Sequence, residues 1–240
     1  MDPLVPIADL DRFVATRLAL HAVGEHVLCA ARYAAVGRIG LRQVPGGFAT
    51  PHFGDDRRLL VVGTDIVHEQ DGEAESAPLR TLGEAAEFAG VALGAPTEVF
   101  TPTTAFADDD PLPIDPGDAG TVAEWFALGD RVLARWRAER TATGDTPTRA
   151  QLWPEHFDLA CDLGDSDASR ANYGFSPGDG AIGEPYVYVG PWTATRPGDE
   201  PHVFWDQPWG ASLRRSQLVG VDDPAGRVLT WFAEARDRLG

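Results

Sequence analysis

Arg38-Ile39-Gly40-Leu41-Arg42-Gln43-Val44, then GGFATPHF at 46–53, then RRLLVVGTDIVHEQ at 57–70 are the runs whose reading decides the fold. Each is short and rich in apolar, β-branched or aromatic residues. They are broken by Pro45-Gly46-Gly47 and by Gly54-Asp55-Asp56, which suit tight turns. Strands bounded by such turns predict an antiparallel meander. Upstream the period changes. In residues 7–33, IADLDRFVATRLALHAVGEHVLCAARY, apolar side chains recur at helical spacing through Leu10, Phe13, Val14, Leu18, Val23, Val27 and Leu28, with Asp9 as N-cap. Downstream, TLGEAAEFAGV at 81–91 reads as a short helix opened by Thr81, with Glu84 three residues later.

The same order recurs further along. Residues 94–117, rich in Pro, Asp and Thr, read as a linker. Its acidic run Asp108-Asp109-Asp110 lacks the spacing of a calcium loop and reads as solvated surface. A long helix follows over 118–141 with Asp118 as cap. Strand-like runs then appear at LWPEHFDLACDL, RANYGFS, EPYVYVG and HVFWD. The closing helix, DDPAGRVLTWFAEARDRL, has Pro224 in its first turn. Gly47-Phe48-Ala49-Thr50-Pro51 precedes the apolar run Leu59 to Gly63, much as Gly174-Phe175-Ser176-Pro177 precedes Tyr186 to Gly190. The expectation is an α+β protein: antiparallel sheet flanked by two long and two shorter helices, either with an internal duplication of a helix-meander-helix unit or with two meanders that share only their turn chemistry. The halves would be 1–93 and 118–240, joined by the linker and packed as one unit.

Composition removes several functions. Of 240 residues, 37 are acidic and 20 basic, a formal net charge of −17, which argues against binding a phosphate backbone. Every basic residue is arginine. Without lysine there is neither a Schiff base to pyridoxal phosphate nor a P-loop. Cys29 and Cys161 lie far apart and in apolar contexts, so no zinc ribbon or redox pair is expected. The start, MDPLVPIADLDRF, lacks the pattern of a secretion signal, and no apolar run approaches a membrane span. These readings point to a cytoplasmic protein with neither nucleic acid nor membrane as partner. No cofactor is indicated.

Three places carry candidate chemistry. On the first helix, Arg17, His21 and Glu25 are spaced four apart and line one face, where a histidine between arginine and carboxylate is either a tuned acid/base or a charge ladder. His26 falls off that face. Within LWPEHFD, read as a strand, His156 and Asp158 share one side; Asp179, Glu184 or Asp206 from neighbouring turns could add a third member for acid/base work or a metal. The third place is Asn172 to Asp179. Ser176 there is followed by Pro177 and departs from the nucleophile elbow, so a serine hydrolase is disfavoured. The residues fit better as a pocket for a small molecule. Trp153, Tyr173, Tyr186, Tyr188, Trp192, Trp205 and Trp209 would form its walls, and Asn172, Ser176 and Asp206 its polar contacts. The alternatives are a flat patch of exposed tryptophans that would mark a protein partner or a homodimer face, and a closed core of aromatics packed shut against the helices.

LWPEHFDLA, NYGFSPGD, EPYVYVGPW and FWDQPWGASL, followed by a terminal helix, resemble an uncharacterised bacterial family, a domain of unknown function. Its members carry a similar LWP-HFDLA opening, an N-[YF]-G-[FA]-S-x-GD segment and an EPY-[FLV]-Y strand. The first half, with HAVGEHVLCAARYAAVGRIGLR and PGGFATP, also looks like longer members of that group. The resemblance implies no activity, cofactor or catalytic residue.

Overall fold

Asp9 opens the first helix as its sequence suggests, accepting the backbone N–H of Arg12 at 3.0 Å. In the computed structural model, which describes residues 4–166, 169–193 and 204–239, helix α1 runs Leu10–Val23. It passes without a break into a π-helical segment, Gly24–Cys29, and then into α2, Ala30–Val36. Five strands follow: β1 Arg42–Val44, β2 Gly47–Ala49, β3 Arg58–Val62, β4 Asp65–Gln70 and β5 Glu73–Pro78. They pair in chain order as an antiparallel meander. Helix α3, Leu82–Ala89, is capped by Thr81, whose hydroxyl accepts the N–H of Glu84. Helix α4 spans Pro116–Ala142. A second five-stranded antiparallel sheet, again in chain order, is built from β6 Gln151–Trp153, β7 Asp158–Leu163, β8 Ala171–Ser176, β9 Tyr186–Pro191 and β10 Ala211–Arg214. Helix α5, Pro224–Leu239, closes the chain. The architecture is α+β, and among the described residues no helix is long and apolar enough to cross a membrane.

The chain divides into two compact units. One, here the N-terminal unit, holds residues 9–127 with 151–158; the other, the C-terminal unit, holds 1–8, 128–150 and 159–240. Residues 94–117 therefore do not separate two halves. They fold within the N-terminal unit, tied to its helix by bonds such as the Gly94 N–H to the His26 carbonyl at 3.0 Å.

Within the N-terminal unit, β3 is buried on both faces. Leu60 packs with Val44, Ala49 and Val67, while Leu59 and Val61, which alternation turns the other way, are fully buried too. Strand β5 has no sequence signal of its own, because EAESAP lacks β-formers. Its pairing is set by the turn before it, where Asp71 and Gly72 have φ of 53° and 83°. A two-residue Asp-Gly loop with both φ positive matches the twist of a hairpin. β5 then lies on the sheet edge, where Glu73, Glu75 and Pro78 discourage further pairing.

Asp118 does not cap α4: Asp115 does, accepting the N–H groups of Gly117 and Asp118, with Pro116 at the first helical position. Asp118 instead pairs with Arg12 at 2.7 Å. LWPEHFD is not a continuous strand, since residues 154–157 form a turn between β6 and β7. In HVFWD, residues 204 and 205 are turn and bend and 206 belongs to no strand, the last strand being β10; residues 202 and 203 lie outside the described residues. The order helix, five-stranded meander, helix does occur twice. The matching motifs fall one strand out of step, however, GGFA in the second strand of its meander and GFS in the third.

Candidate functional site

Glu25 organises the N-terminal unit's polar interior. It sits in the π-helical segment with no solvent exposure. Its Oε1 accepts the N–H of Thr103 at 2.9 Å and the Thr103 hydroxyl at 3.2 Å; its Oε2 accepts the N–H of Thr104 at 3.1 Å and the Thr104 hydroxyl. A carboxylate taken out of water needs such donors, since an isolated buried charge costs many kcal/mol. Two histidines flank it, His21 with Nε2 3.5 Å from Oε1 and His26 with Nε2 3.8 Å from Oε2. The π geometry, frequent at functional sites, lets the sequence neighbours Glu25 and His26 serve one cluster.

His26 has a defined tautomer. Its Nδ1 accepts the N–H of Ala95 at 3.2 Å, so the proton is on Nε2, which donates to the Thr104 hydroxyl at 3.1 Å. Because that hydroxyl donates to Glu25, a hydrogen-bonded chain runs from His26 through Thr104 to the carboxylate.

His21 is oriented from the other side. Its Nε2 donates to the Pro154 carbonyl at 2.7 Å, and its ring stacks on Phe157, centroids 5.0 Å apart and 9° from parallel. Among the described residues no hydrogen bond engages Nδ1. Burial pushes the His21 pKa below its ordinary value; Glu25 and the Pro154 carbonyl oppose this, while Arg17 and His156 reinforce it. The outcome is a neutral imidazole whose Nε2–H points at acceptors and whose Nδ1 keeps its lone pair. That is the state of a general base, with Glu25 placed to stabilise the imidazolium that proton uptake would form.

Phe157 bears this arrangement. It is fully buried with φ of 50°, a left-handed conformation that is an outlier for a bulky side chain. Strain of this kind, about 1–3 kcal/mol, persists where surrounding contacts over-determine it. Here the ring is gripped by His21, by Phe48 edge-on at 5.2 Å and by Phe126 edge-on at 5.3 Å.

Two of the sequence candidates thus meet. Arg17, His21 and Glu25 on the helix stand against the turn that carries Pro154, Glu155, His156 and Phe157. Of these candidates Arg17, His21, Glu25 and Asp158 are buried, Trp153 is half-buried and His156 is exposed. With residues 154–157 in a turn, His156 and Asp158 are not neighbours on a strand face. Sequence reasoning missed His26, Thr103, Thr104, the Pro154 carbonyl and Phe157. Helical periodicity placed His26 off the face, and no pattern marks the paired threonines beyond their being two adjacent donors.

The remaining candidates belong to the C-terminal unit, where each carboxylate shapes a loop. Asp179 accepts the N–H groups of Ala181 and Ile182 at 2.7 Å and the Tyr186 hydroxyl at 2.6 Å. Glu184 accepts the N–H and hydroxyl of Ser216 at 2.9 and 3.0 Å. Asp206 accepts the N–H and hydroxyl of Ser212, both at 2.7 Å. The Ser176 hydroxyl accepts the N–H of Gly178, and Asn172 accepts the Trp192 indole N–H. The rings form closed groups. Tyr186, Tyr188 and Trp209 pack with centroids near 6 Å, and Trp205 leans on Phe204, which stacks on Trp231. Gly174 lies under Tyr188, whose ring a Cβ there would meet at 2.4 Å. Tyr173 is wholly buried.

Both thiols are buried, which pushes each up to about 12 and leaves it unreactive. Among the described residues no group of three His, Cys, Asp or Glu side chains is placed to hold a metal ion. Compared with protein-family models, with curated proteins and with solved structures, the chain matches no family, no curated protein and no solved structure.

Proposed function

We propose that this protein binds a small molecule in its N-terminal unit, beside helix α1 and the turn at residues 154–157, and that His21 takes a proton from it. One observation carries the reading: the Nε2–H is held by the Pro154 carbonyl with Glu25 behind it, no hydrogen bond among the described residues engages Nδ1, and burial lowers the His21 pKa so that the neutral imidazole is favoured. Arg17 supplies positive charge close by, which favours a ligand that becomes anionic as it loses its proton. The proposed site is narrower than the expected pocket walled from Trp153 to Trp209 and centres on residues 154–157.

A screen of carboxylic acid, amine and carbonyl fragments by NMR tests it. Hits should shift His21, His156 and Phe157, and His21→Gln should abolish those shifts. Hits confined to Tyr186, Tyr188 and Trp209 would sink the proposal.

A second reading, an interface for a protein partner or a second copy, is favoured by Trp192, which is 53% exposed although Arg170 lies 4.0 Å over its ring. Sedimentation of the protein and of Trp192→Ala decides it; a monomer in both rules out the second copy. The buried unreactive thiols support a cytoplasmic location, and the acidic charge speaks against a nucleic-acid partner. The motif set from LWPEHFDLA to EPYVYVGPW supports kinship with the domain family it resembles.

A further inference from the structure

The C-terminal unit contains a second polar interior that the reading above does not use. Trp136 on α4, Tyr173 on β8 and Phe232 on α5 pack ring against ring, with centroids 5.2 to 5.6 Å apart. Trp136 is 1% exposed and Tyr173 0%. Each helix places an arginine four residues beyond its aromatic: Arg140 after Trp136, with its guanidinium 4.8 Å over the indole, and Arg236 after Phe232. Arg236 is engaged by Asp145 at 3.4 Å and by the Ser169 carbonyl at 3.0 Å. Trp136 Nε1, the Tyr173 hydroxyl and Arg140 Nε are buried and have no hydrogen-bond partner among the described residues.

We propose that this cluster binds a small monovalent anion of the halide type. An indole N–H and a guanidinium N–H can only donate, and the phenol can donate too, so the partner they lack is one that accepts. The charges agree: of two guanidiniums and one carboxylate, Arg236 and Asp145 pair, while Arg140 has no carboxylate partner among the described residues. Leaving such donors buried and unmet is costly, and a site flanked by an unmatched cation favours an anion over a neutral acceptor. Burial dominates at Tyr173 and raises its pKa although Arg140 and Arg236 pull the other way, so the phenol keeps the proton it would donate. A monovalent ion suffices, because a second negative charge would go unbalanced.

Crystals of the full chain grown without halide and soaked in bromide, measured at the bromine edge, test this. The expected result is one anomalous peak within hydrogen-bond distance of Tyr173 Oη and Trp136 Nε1. In solution, bromide should raise the melting temperature at constant ionic strength. Tyr173→Phe, which removes only the oxygen, should weaken binding about tenfold, the loss of one bond to a charged acceptor. Trp136→Phe is the second variant, should the first not fold. A water at the three donors, with bromide found at the surface as an adventitious ion only, would overturn the proposal, as would bromide stabilisation undiminished in both variants.

Discussion

The carboxylates of the two units are equally well bonded and differ in what they join. Asp179 and Asp206 accept hydrogen bonds from residues at most seven positions away, and Glu184 from the single residue Ser216. They set the shape of loops. Glu25 draws its donors from residues 78 and 79 positions away and stands between two histidines. A carboxylate that closes a turn fixes the shape of a loop. One that holds a fully buried charge beside a neutral histidine supplies the electrostatics that make that histidine useful.

Removing Glu25 should have the largest effect. Glu25→Ala strands four donors and two histidines and should lower the unfolding free energy by about 3 kcal/mol or more in urea titrations. Glu25→Gln, which keeps the shape, should cost less. Second in size is the pH dependence. The His21 pKa is lowered by folding, so below the unfolded value of about 6.5 the unfolded chain binds a proton that the native state refuses. Stability should therefore be full above that pH and fall as pH drops, by at most about 1.4 kcal/mol per pH unit, until the folded pKa is passed. His21→Phe should flatten that slope. Asp179→Ala should cost about 1 kcal/mol, the usual worth of bonds that tie a partly exposed loop. Losses as large as those of Glu25→Ala would erase the contrast between the units. Smallest is Trp192→Ala, at about 0.5 kcal/mol or less, because an exposed cation–π contact is weak.

Much of the fold is legible in the sequence where local chemistry decides it. Asp9, Thr81 and the turns at Pro45-Gly46 and Gly54-Asp55-Asp56 are written in single residues. β5 was also written, but in Asp71-Gly72 rather than in its own residues. What is not legible depends on long-range contact. The cap of α4 lies at Asp115, while Asp118 inside the first turn pairs with Arg12, 106 positions earlier. Half of the candidate site could be read from the i, i+4 spacing of Arg17, His21 and Glu25. The other half could not. A π turn leaves no mark in an apolar period, and the threonines that hold Glu25 lie in a stretch whose Pro, Asp and Thr content resembles a linker. Of the rings expected as pocket walls, Tyr186, Tyr188 and Trp209 pack on one another.

The protonation state of His21, followed by nitrogen-15 NMR of the imidazole across pH, tests the central claim most directly. The account predicts one neutral tautomer at pH 7, with Nε2 protonated and Nδ1 bare, that persists below the ordinary histidine pKa of about 6.5. A ring that titrates at that ordinary value, or one that carries its neutral-state proton on Nδ1, would contradict it.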